Sequence, residues 1–394
     1  MTATFSWFTL YCGLMLSISA FSIDIMLPSL LSIGEGLNAP LQSVQLTIPV
    51  YMLALGLANP VFGVLSDRIG RRPGIFIGLT IYTFGAGVCA LAPNIDVLLT
   101  GRFIQGFGAA CAPVICRAMI RDKFSGVDLA QTMAMASMFF AMGPLLAPLL
   151  GYVLYETAGW RVVFVLLIGL SLIMLLSTWR QRETLPAQAR RAQNLSSIWV
   201  DVSAVISHRE SRSFIVLSCV ATSIILTFLA HAPVIYANLG ASEGRFSVMF
   251  ACTSIGIILG QLINHRLLSV ITAARVALYA AIVVAATSIM IWVAALSDTL
   301  TTVSFTVLMF MFNTSYLLIF SNLVSLTLEP HGNRAGMASS MFGFFSYIGG
   351  SLLAMLLALV TNEQTVRWAS CFTLISLTLL GGLYYAVTRN DHNK

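Results

Sequence analysis

Residues 8–33 read FTLYCGLMLSISAFSIDIMLPSLLSI, an apolar run that contains one charged residue, Asp24. The run is long enough to cross a bilayer, since about 20 residues suffice for a helix. A charged Asp at the centre of a lipid-facing helix costs about 2.5–3.5 kcal/mol on insertion scales, so such acids usually face a protein interior or a water-filled path. We therefore expect Asp24 to bind and release protons. The alternative is a structural role, by pairing or by reaching the membrane surface, for which an Asp side chain is short.

The rest of the chain repeats this pattern. Of its 394 residues, 58% are hydrophobic and 9% are charged, and the mean hydropathy is +0.89, whereas soluble domains carry roughly 25% charged residues. We predict an all-α membrane protein with twelve transmembrane helices in two six-helix halves. The predicted helices are approximately 8–33, 44–66, 74–94, 97–118, 130–155, 160–179, 213–238, 247–265, 270–296, 299–328, 335–360 and 366–388. Spans of this length, without a ten-residue alternation, argue against an outer-membrane barrel.

The positive charges predict the orientation. Of the 21 Lys and Arg residues, 17 fall in the loops on one side and 3 in the loops on the other. Cytoplasmic loops carry the excess of positive charge, so both termini and the 181–212 connection are expected in the cytoplasm. The N-terminal residues MTATFSW carry no positive charge, so we expect no removable signal peptide. The net charge of +6 thus marks a membrane face, and we expect no nucleic-acid partner.

The longest polar interruption, 181–212, divides the chain into an N-terminal half (1–180), a cytoplasmic linker and a C-terminal half (213–394). Six plus six helices with both termini inside is a common plan of secondary transporters. A weak internal repeat fits this plan, because GVLSDR at 63–68 and GQLINHR at 260–266 follow helices two and eight. The second copy has Asn264 where the first has Asp67, so we expect any matching contact there to be weaker.

Several classes of protein are disfavoured by what the sequence lacks. The two lysines, Lys123 and Lys394, do not lie in a phosphate-binding GxxxxGK[ST] loop, and no HExxH or GxSxG occurs. The seven cysteines fall within apolar runs, without CxxC or metal-ligand spacing. We therefore expect no enzyme activity, no cofactor and no metal site.

The segment GVLSDRIGRRP, residues 63–73, is the strongest local signal. Gly70 supplies backbone freedom in a tight loop, and Pro73 suits the first turn of the next helix. Asp67 is positioned to pair with an arginine or to face a helix N-terminus, where an anion is favoured. Such contacts would latch one half of the protein against the other. The alternative is an ordinary positively charged cytoplasmic loop.

A second signal is AMGPLLAPLLG, residues 141–151. Gly143, Ala147 and Gly151 recur every four residues and predict a stripe along which another helix backbone approaches closely. Pro144 and Pro148 form an adjacent stripe, and each removes a backbone hydrogen bond from the helix.

These segments resemble known motifs. Gly63, Asp67, Arg68, Gly70, Arg71 and Arg72 match the helix 2–3 signature of the major facilitator superfamily, and RFIQG (102–106) is similar to its helix-four motif. The 141–151 segment resembles the helix-five motif of drug/proton antiporters. Together with DIMLP (24–28) and Arg121-Asp122, the chain resembles the bicyclomycin/chloramphenicol-resistance type of multidrug efflux protein.

The resemblance implies roles for individual residues. It assigns proton transfer to Arg102, together with Asp24, and prevention of leak to Gly143, Pro144, Ala147, Pro148 and Gly151. An alternative for Arg102 is interfacial, because it lies about five residues into its helix from the outer side. Arg121 and Asp122 are interpreted as mainly structural.

Candidates for the substrate pocket are aromatic residues and methionines, which give adaptable apolar walls, with a few polar groups. Each one is individually more typical of helix packing than of ligand contact. His231 is in addition a weak second proton site, because histidine titrates near neutral pH. The candidates are Tyr51, Met52, Met135, Phe139, His231, Tyr236, Asn313, Tyr316, Phe342 and Phe345.

The sequence thus predicts a monomeric proton-coupled antiporter of a bacterial inner membrane that exports small amphipathic organic molecules by alternating access. Its expected partners are the substrate, protons and membrane lipid. One alternative is a dedicated exporter of a single endogenous metabolite such as a siderophore. Others are a proton symporter and a sensor or scaffold that transports nothing.

Overall fold

A computed structural model describes residues 6–190, 202–361 and 364–392. Within these residues twelve helices are long and apolar enough to span a membrane, and they confirm the predicted spans to within a few residues at each end. They are α1 Trp7–Gly36, α2 Leu41–Ile69, α3 Arg71–Ala90, α4 Ile95–Lys123, α5 Gly126–Ala158, α6 Arg161–Arg180, α7 Arg209–Asn238, α8 Glu243–Leu267, α9 Ala273–Leu296, α10 Thr302–His331, α11 Met337–Thr361 and α12 Thr365–Arg389.

Three of these spans are interrupted, and each interruption has a proline as its cause. Helical segments end at Asp24 in α1, at Gln45 in α2 and at Ala109 in α4. Each of these residues stands four positions before a proline. A proline has no N–H to bond the carbonyl four residues earlier, and its ring clashes with that carbonyl. By contrast, α5 remains one continuous helix although it contains two prolines.

The break in α1 is the longest of the three. The helix Trp7–Asp24 gives way to a 3₁₀ turn, Leu27–Ser29, and then to a second helix, Leu30–Gly36. All residues from Ser22 to Leu30 are buried. Non-helical backbone at membrane depth is tolerated where protein surrounds it or water reaches it, and the burial here places this break inside the protein.

The chain forms two compact units. The first comprises residues 1–39 and 50–197, and the second comprises residues 40–49 and 198–394. The first nine residues of α2, 41–49, therefore belong to the second unit.

The same helix pairings recur in both units. In the first, α1 packs on α5, and α3 packs on both α4 and α6; in the second, α7 packs on α11, and α9 packs on both α10 and α12. Each of these three second-unit pairings is a first-unit pairing shifted by six helices. This repetition of packing is the structural counterpart of the weak sequence repeat.

The crossing of α3 and α4 depends on glycines. A Cβ added to Gly85 would lie 2.7 Å from the Cα of Gln105, and one added to Gly101 would lie 2.9 Å from the backbone nitrogen of Cys89. Side chains at these positions would push the two backbones apart. Gly87, on the same helix as Gly85, has nothing within 4 Å of the corresponding position.

We expect Gly85→Ala to destabilise the protein by about 1–3 kcal/mol, the usual cost of forcing extra atoms into a packed contact. Gly87→Ala is the matched control, and we expect it to be neutral or to stabilise by up to about 1 kcal/mol, because alanine is the better helix former. Thermal unfolding of the purified variants in one detergent measures both. Equal melting temperatures for the two variants would contradict the close crossing.

Candidate functional site

Asp24 lies at the break of α1. It is the last residue of the helix Trp7–Asp24, and Pro28 cannot donate the hydrogen bond that its carbonyl would receive in a continuous helix. The residue is 4% exposed. Its acidic side chain is therefore placed at a local irregularity of the backbone and away from the protein surface.

The Asp24 carboxylate forms no hydrogen bond or ion pair with any residue in the described part of the chain. The two ion pairs found there join Arg71 to Asp67 and to Asp122. A structural salt bridge, the pairing alternative for Asp24, is thus not formed with any described residue. Burying an ionised carboxylate without a partner is costly.

Arg102 is fully buried in α4, so the interfacial alternative for this residue is wrong. Its Nη1 donates hydrogen bonds to the side-chain oxygen of Gln105 at 2.7 Å and to the backbone carbonyl of Ser22 at 3.3 Å. The guanidinium carbon lies 4.3 Å from the centre of the Tyr51 ring. Arg102 therefore contacts the backbone of α1 two residues before Asp24, and it forms no ion pair with the Asp24 carboxylate.

The hydroxyl groups of two tyrosines form hydrogen bonds with the same stretch of α1. The Tyr82 hydroxyl lies 2.5 Å from the Ser22 hydroxyl, which also donates to the carbonyl of Ile18. The Tyr51 hydroxyl donates to the carbonyl of Ser19 at 3.4 Å. Together with Arg102, side chains from α2, α3 and α4 fix the turn of α1 that precedes Asp24. Sequence reasoning missed Ser22 and Tyr82, because single hydroxyl groups in apolar helices usually bond their own backbone.

The small-residue stripe of α5 lies against α1. A Cβ added to Gly143 would lie 3.7 Å from Ala20, while one added to Gly151 would overlap the backbone carbonyl of Ile25, the residue after Asp24. Ala147, between them, is fully buried. The backbone of α5 thus approaches α1 most closely at its break. Pro144 is half-buried and Pro148 is buried in the same helix.

Arg71 is the centre of the cluster at the end of α2. Its guanidinium contacts Asp67 at 2.5 Å, Asp122 of α4 at 2.9 Å and the Ser66 hydroxyl at 3.0 Å. The residue is 7% exposed. These bonds join α2, α3 and α4 within the first unit, so the predicted latch between the two halves stays a prediction.

Glu183, which sequence analysis did not single out, caps α3. Its two carboxylate oxygens accept hydrogen bonds from the backbone N–H groups of Arg71 at 2.9 Å and of Arg72 at 3.1 Å. An acidic group at a helix N-terminus is favoured by the free N–H groups and the helix dipole. Gly70 has φ of +109°, and the carboxylate occupies the space that a Cβ would need.

The remaining residues of this motif lie around the cluster. Arg72 donates to the backbone carbonyl of Trp179 at 2.8 Å. Arg68 is exposed, and Gly63 is half-buried with Val114 of α4 as its neighbour. The motif therefore ties the first helices of the unit to the end of α6.

The second unit has a neutral counterpart. Asn264 is buried at the end of α8, and its side-chain oxygen accepts a hydrogen bond of 2.7 Å from Asn322 of α10. The backbone of Thr314 packs against Gly260, so a side chain at position 260 would overlap the Thr314 carbonyl. An amide pair thus stands on the helices that correspond to those carrying Asp67 and Asp122.

The substrate candidates of the first unit serve partly as packing. Tyr51 is fully buried beneath Arg102. Phe139 lies on Gly13 of α1, and Met52 and Met135 are half-buried.

In the second unit the candidates form two groups. His231 donates from Nδ1 to the carbonyl of Thr227 at 2.9 Å, and its Nε2 lies 2.7 Å from the Thr361 hydroxyl. Because a carbonyl can only accept, these bonds satisfy a neutral ring, which favours a packing role over a proton site. Tyr236 lies on the same helix and is fully buried. Its hydroxyl forms a hydrogen bond of 2.8 Å with the Thr306 hydroxyl.

The other group lies on α10 and α11. Tyr316 stacks on Phe320 with 6.0 Å between ring centres, and Phe320 contacts Phe342 at 5.5 Å. Asn313 donates to the carbonyl of Thr253 at 3.2 Å, and Phe345 is half-buried. A ligand contact for any of these residues stays a prediction.

Comparisons with known proteins give one consistent result. A family model described as "Major Facilitator Superfamily" matches residues 12–354. An uncharacterized MFS-type transporter, YdgK of Bacillus subtilis, is 27% identical over 388 residues, which cover 96% of this chain and 94% of the relative. Multidrug resistance protein MdtL of Citrobacter koseri is 28% identical over 353 residues, covering 86% of this chain and 85% of the relative.

Solved structures share the fold. The crystal structure of a D-xylose-proton symporter superposes with a TM-score of 0.79 at 14% identity, covering 94% of this chain and 96% of that one. The nucleoside transporter NupG superposes with a TM-score of 0.75 at 14% identity, covering 97% and 99%. At this identity the likeness concerns the fold alone.

We expect Glu183→Ala to destabilise the protein by about 1–2 kcal/mol, the typical cost of losing a helix cap. Thermal unfolding measures the loss, with Glu156→Ala as the control, because Glu156 is exposed at the end of α5. A melting temperature for Glu183→Ala equal to that of the control would show that the cap contributes nothing.

Proposed function

Because this chain belongs to the major facilitator superfamily, we propose that it is a proton-coupled antiporter that exports small amphipathic organic compounds by alternating access. The protein is a multi-pass membrane transporter, and its similarity to bacterial transporters supports the cytoplasmic membrane as its location. We further propose that both termini face the cytoplasm, as the count of positive charges predicts.

The observation that carries this proposal is the position of Asp24. The side chain is buried at the break of α1 and has no partner in the described part of the chain. Such a carboxylate suits alternate binding of a proton and of cargo. Asp24 takes up a proton as substrate leaves to the outside, and it releases the proton to the cytoplasm when the next substrate arrives.

The energetics allow useful export. One charge that moves through 100 mV is worth about 2.3 kcal/mol, and one pH unit contributes about 1.4 kcal/mol. One proton therefore supports a concentration gradient of a few hundredfold for a neutral solute.

Arg102 serves this cycle as a positioning residue. Its hydrogen bond to the Ser22 carbonyl holds the backbone next to Asp24, and its permanent charge disfavours a cationic substrate nearby. Its influence on the proton thus passes through the α1 backbone and through the local potential.

The stripe on α5 seals α1 at its break. Because Gly151 has no side chain, the α5 backbone covers the carbonyl of Ile25. This contact keeps water away from the α5-facing side of the break. This packing supports the leak-preventing role that the resemblance assigns to Gly143, Pro144, Ala147, Pro148 and Gly151. The Arg71 cluster holds α2, α3 and α4 together at the proposed cytoplasmic end.

The relatives and the acidic residues of the chain support one substrate class. The similarity to the multidrug resistance protein MdtL supports export of several drug-like compounds. Asp24 is the one buried acid among the described residues, and a single acid suits neutral, zwitterionic or singly charged cargo. The alternative of one dedicated endogenous metabolite on the same scaffold predicts loss of one secreted compound on deletion, whereas multidrug export predicts broad protection on overexpression.

We expect Asp24→Asn to lower proton-driven uptake into everted vesicles about a hundredfold or more, as for other groups that transfer the reacting proton. Asp24→Glu is expected to retain measurable transport. Asp96→Asn is the control, because Asp96 is an exposed acid in the first turn of α4. Uptake is measured with an interior-acid gradient and a panel of fluorescent drugs.

Size-exclusion chromatography of each variant verifies that it is folded. Wild-type rates in folded Asp24→Asn would overturn the mechanism. Accumulation only in right-side-out vesicles, driven by an exterior-acid gradient, would identify a symporter instead.

A further inference from the structure

The second unit has a cavity of about 390 Å³ where α7 begins and α12 ends. Arg209 and His208 line it from α7 and the residue before it, and Arg389 and Tyr385 line it from α12. Phe214, which is 2% exposed, forms part of its wall. The cavity thus combines positive side chains with an apolar floor.

The position of Arg209 is not explained by helix stability. It is the first residue of α7, and a cation at a helix N-terminus opposes the helix dipole. Neither Arg209 nor Arg389 has an ion-pair partner among the described residues. Glu210 is the single acid among the described residues of the lining, so these residues carry an excess of positive charge.

The first unit provides an internal comparison. A cavity of about 430 Å³ lies where α1 begins and α6 ends, and it contains Lys123, Arg180 and Arg182. Its lining also includes Asp122 and Glu183. The two cavities occupy corresponding places, and the described lining of each carries one more cation than acid. In the second cavity both cations are arginines that form no ion pair with a described residue.

We propose that the cavity of the second unit binds the phosphate of an anionic phospholipid. Arg209 and Arg389 contact the phosphate oxygens, since guanidinium groups match phosphate geometry, and the first N–H groups of α7 add to the positive potential. A lipid is favoured over a soluble phosphate because Tyr384 and Tyr385 are 60% and 63% exposed at this helix end. Exposed tyrosines of this kind mark a membrane boundary.

The site lies on the face that the charge count assigns to the cytoplasm, where anionic lipid headgroups attract basic side chains. It is separate from Asp24 and from the Arg71 cluster, which belong to the first unit. Its occupancy therefore does not depend on the proposed transport mechanism.

Native mass spectrometry of the purified full chain tests the proposal with phosphatidylglycerol, phosphatidylcholine and inorganic phosphate as separate probes. We expect phosphatidylglycerol to bind at least about tenfold more tightly than phosphatidylcholine. The double variant Arg209→Gln/Arg389→Gln should weaken phosphatidylglycerol binding about thirtyfold, because each basic side chain at an anionic surface contributes roughly fivefold.

Arg266→Gln is the matched control, since it removes one exposed arginine of the second unit that does not line this cavity. We expect it to leave the affinity within about twofold. Equal affinity for both lipids, or an equal loss in the control, would overturn the site. Competition by inorganic phosphate at the same concentration as lipid would show that the ligand is a soluble anion and would overturn the lipid assignment.

If the double glutamine variant does not fold, Arg209→Lys/Arg389→Lys and Arg389→Gln alone replace it. The lysine variant is expected to keep the preference for phosphatidylglycerol, and the single variant to weaken binding about fivefold. Unchanged affinity in Arg389→Gln would contradict the proposal.

Discussion

The structure of the first unit is governed by one constraint, which is the presence of a carboxylate inside a membrane-spanning helix. Placing Asp24 there is costly unless protein or water surrounds it. Pro28 ends the helix at Asp24, and the surrounding protein buries both the acid and the irregular backbone that follows. The acid and the break are therefore one feature, and the packing of the neighbouring helices is arranged around it.

Three helices of the first unit contact α1 close to this break, and each uses a different contact. Arg102 of α4 donates to the backbone carbonyl of Ser22, while Tyr82 of α3 bonds its hydroxyl. On α5, Gly151 has no side chain, so the two backbones meet at Ile25. An interrupted helix would otherwise be free to bend at this point, and these contacts restrict its position on both sides of the acid.

Hydropathy and spacing were sufficient to predict the twelve spans, because length and apolar composition alone decide whether a helix crosses a bilayer. The stripe of Gly143, Ala147 and Gly151 was also visible, since its period of four residues places it on one helix face. The burial of Arg102 could not be predicted, because a hydropathy profile contains no information on how a helix is rotated about its axis. The capping role of Glu183 could not be predicted either, because its hydrogen-bond partners lie more than 100 residues away in sequence.

The two units show that packing and chemistry have separate origins in this fold. The pairings of α1 with α5 and of α3 with α4 and α6 recur six helices later, so the repeat preserves which backbones meet. The polar groups on those backbones differ, because Asp67 and Asp122 bind Arg71 in one unit while Asn264 binds Asn322 in the other. An amide pair needs no counter-ion and a charged cluster does. Among the described residues, the first unit carries both the buried acid Asp24 and the charged network around Arg71, whereas the matching helices of the second unit carry a neutral amide pair.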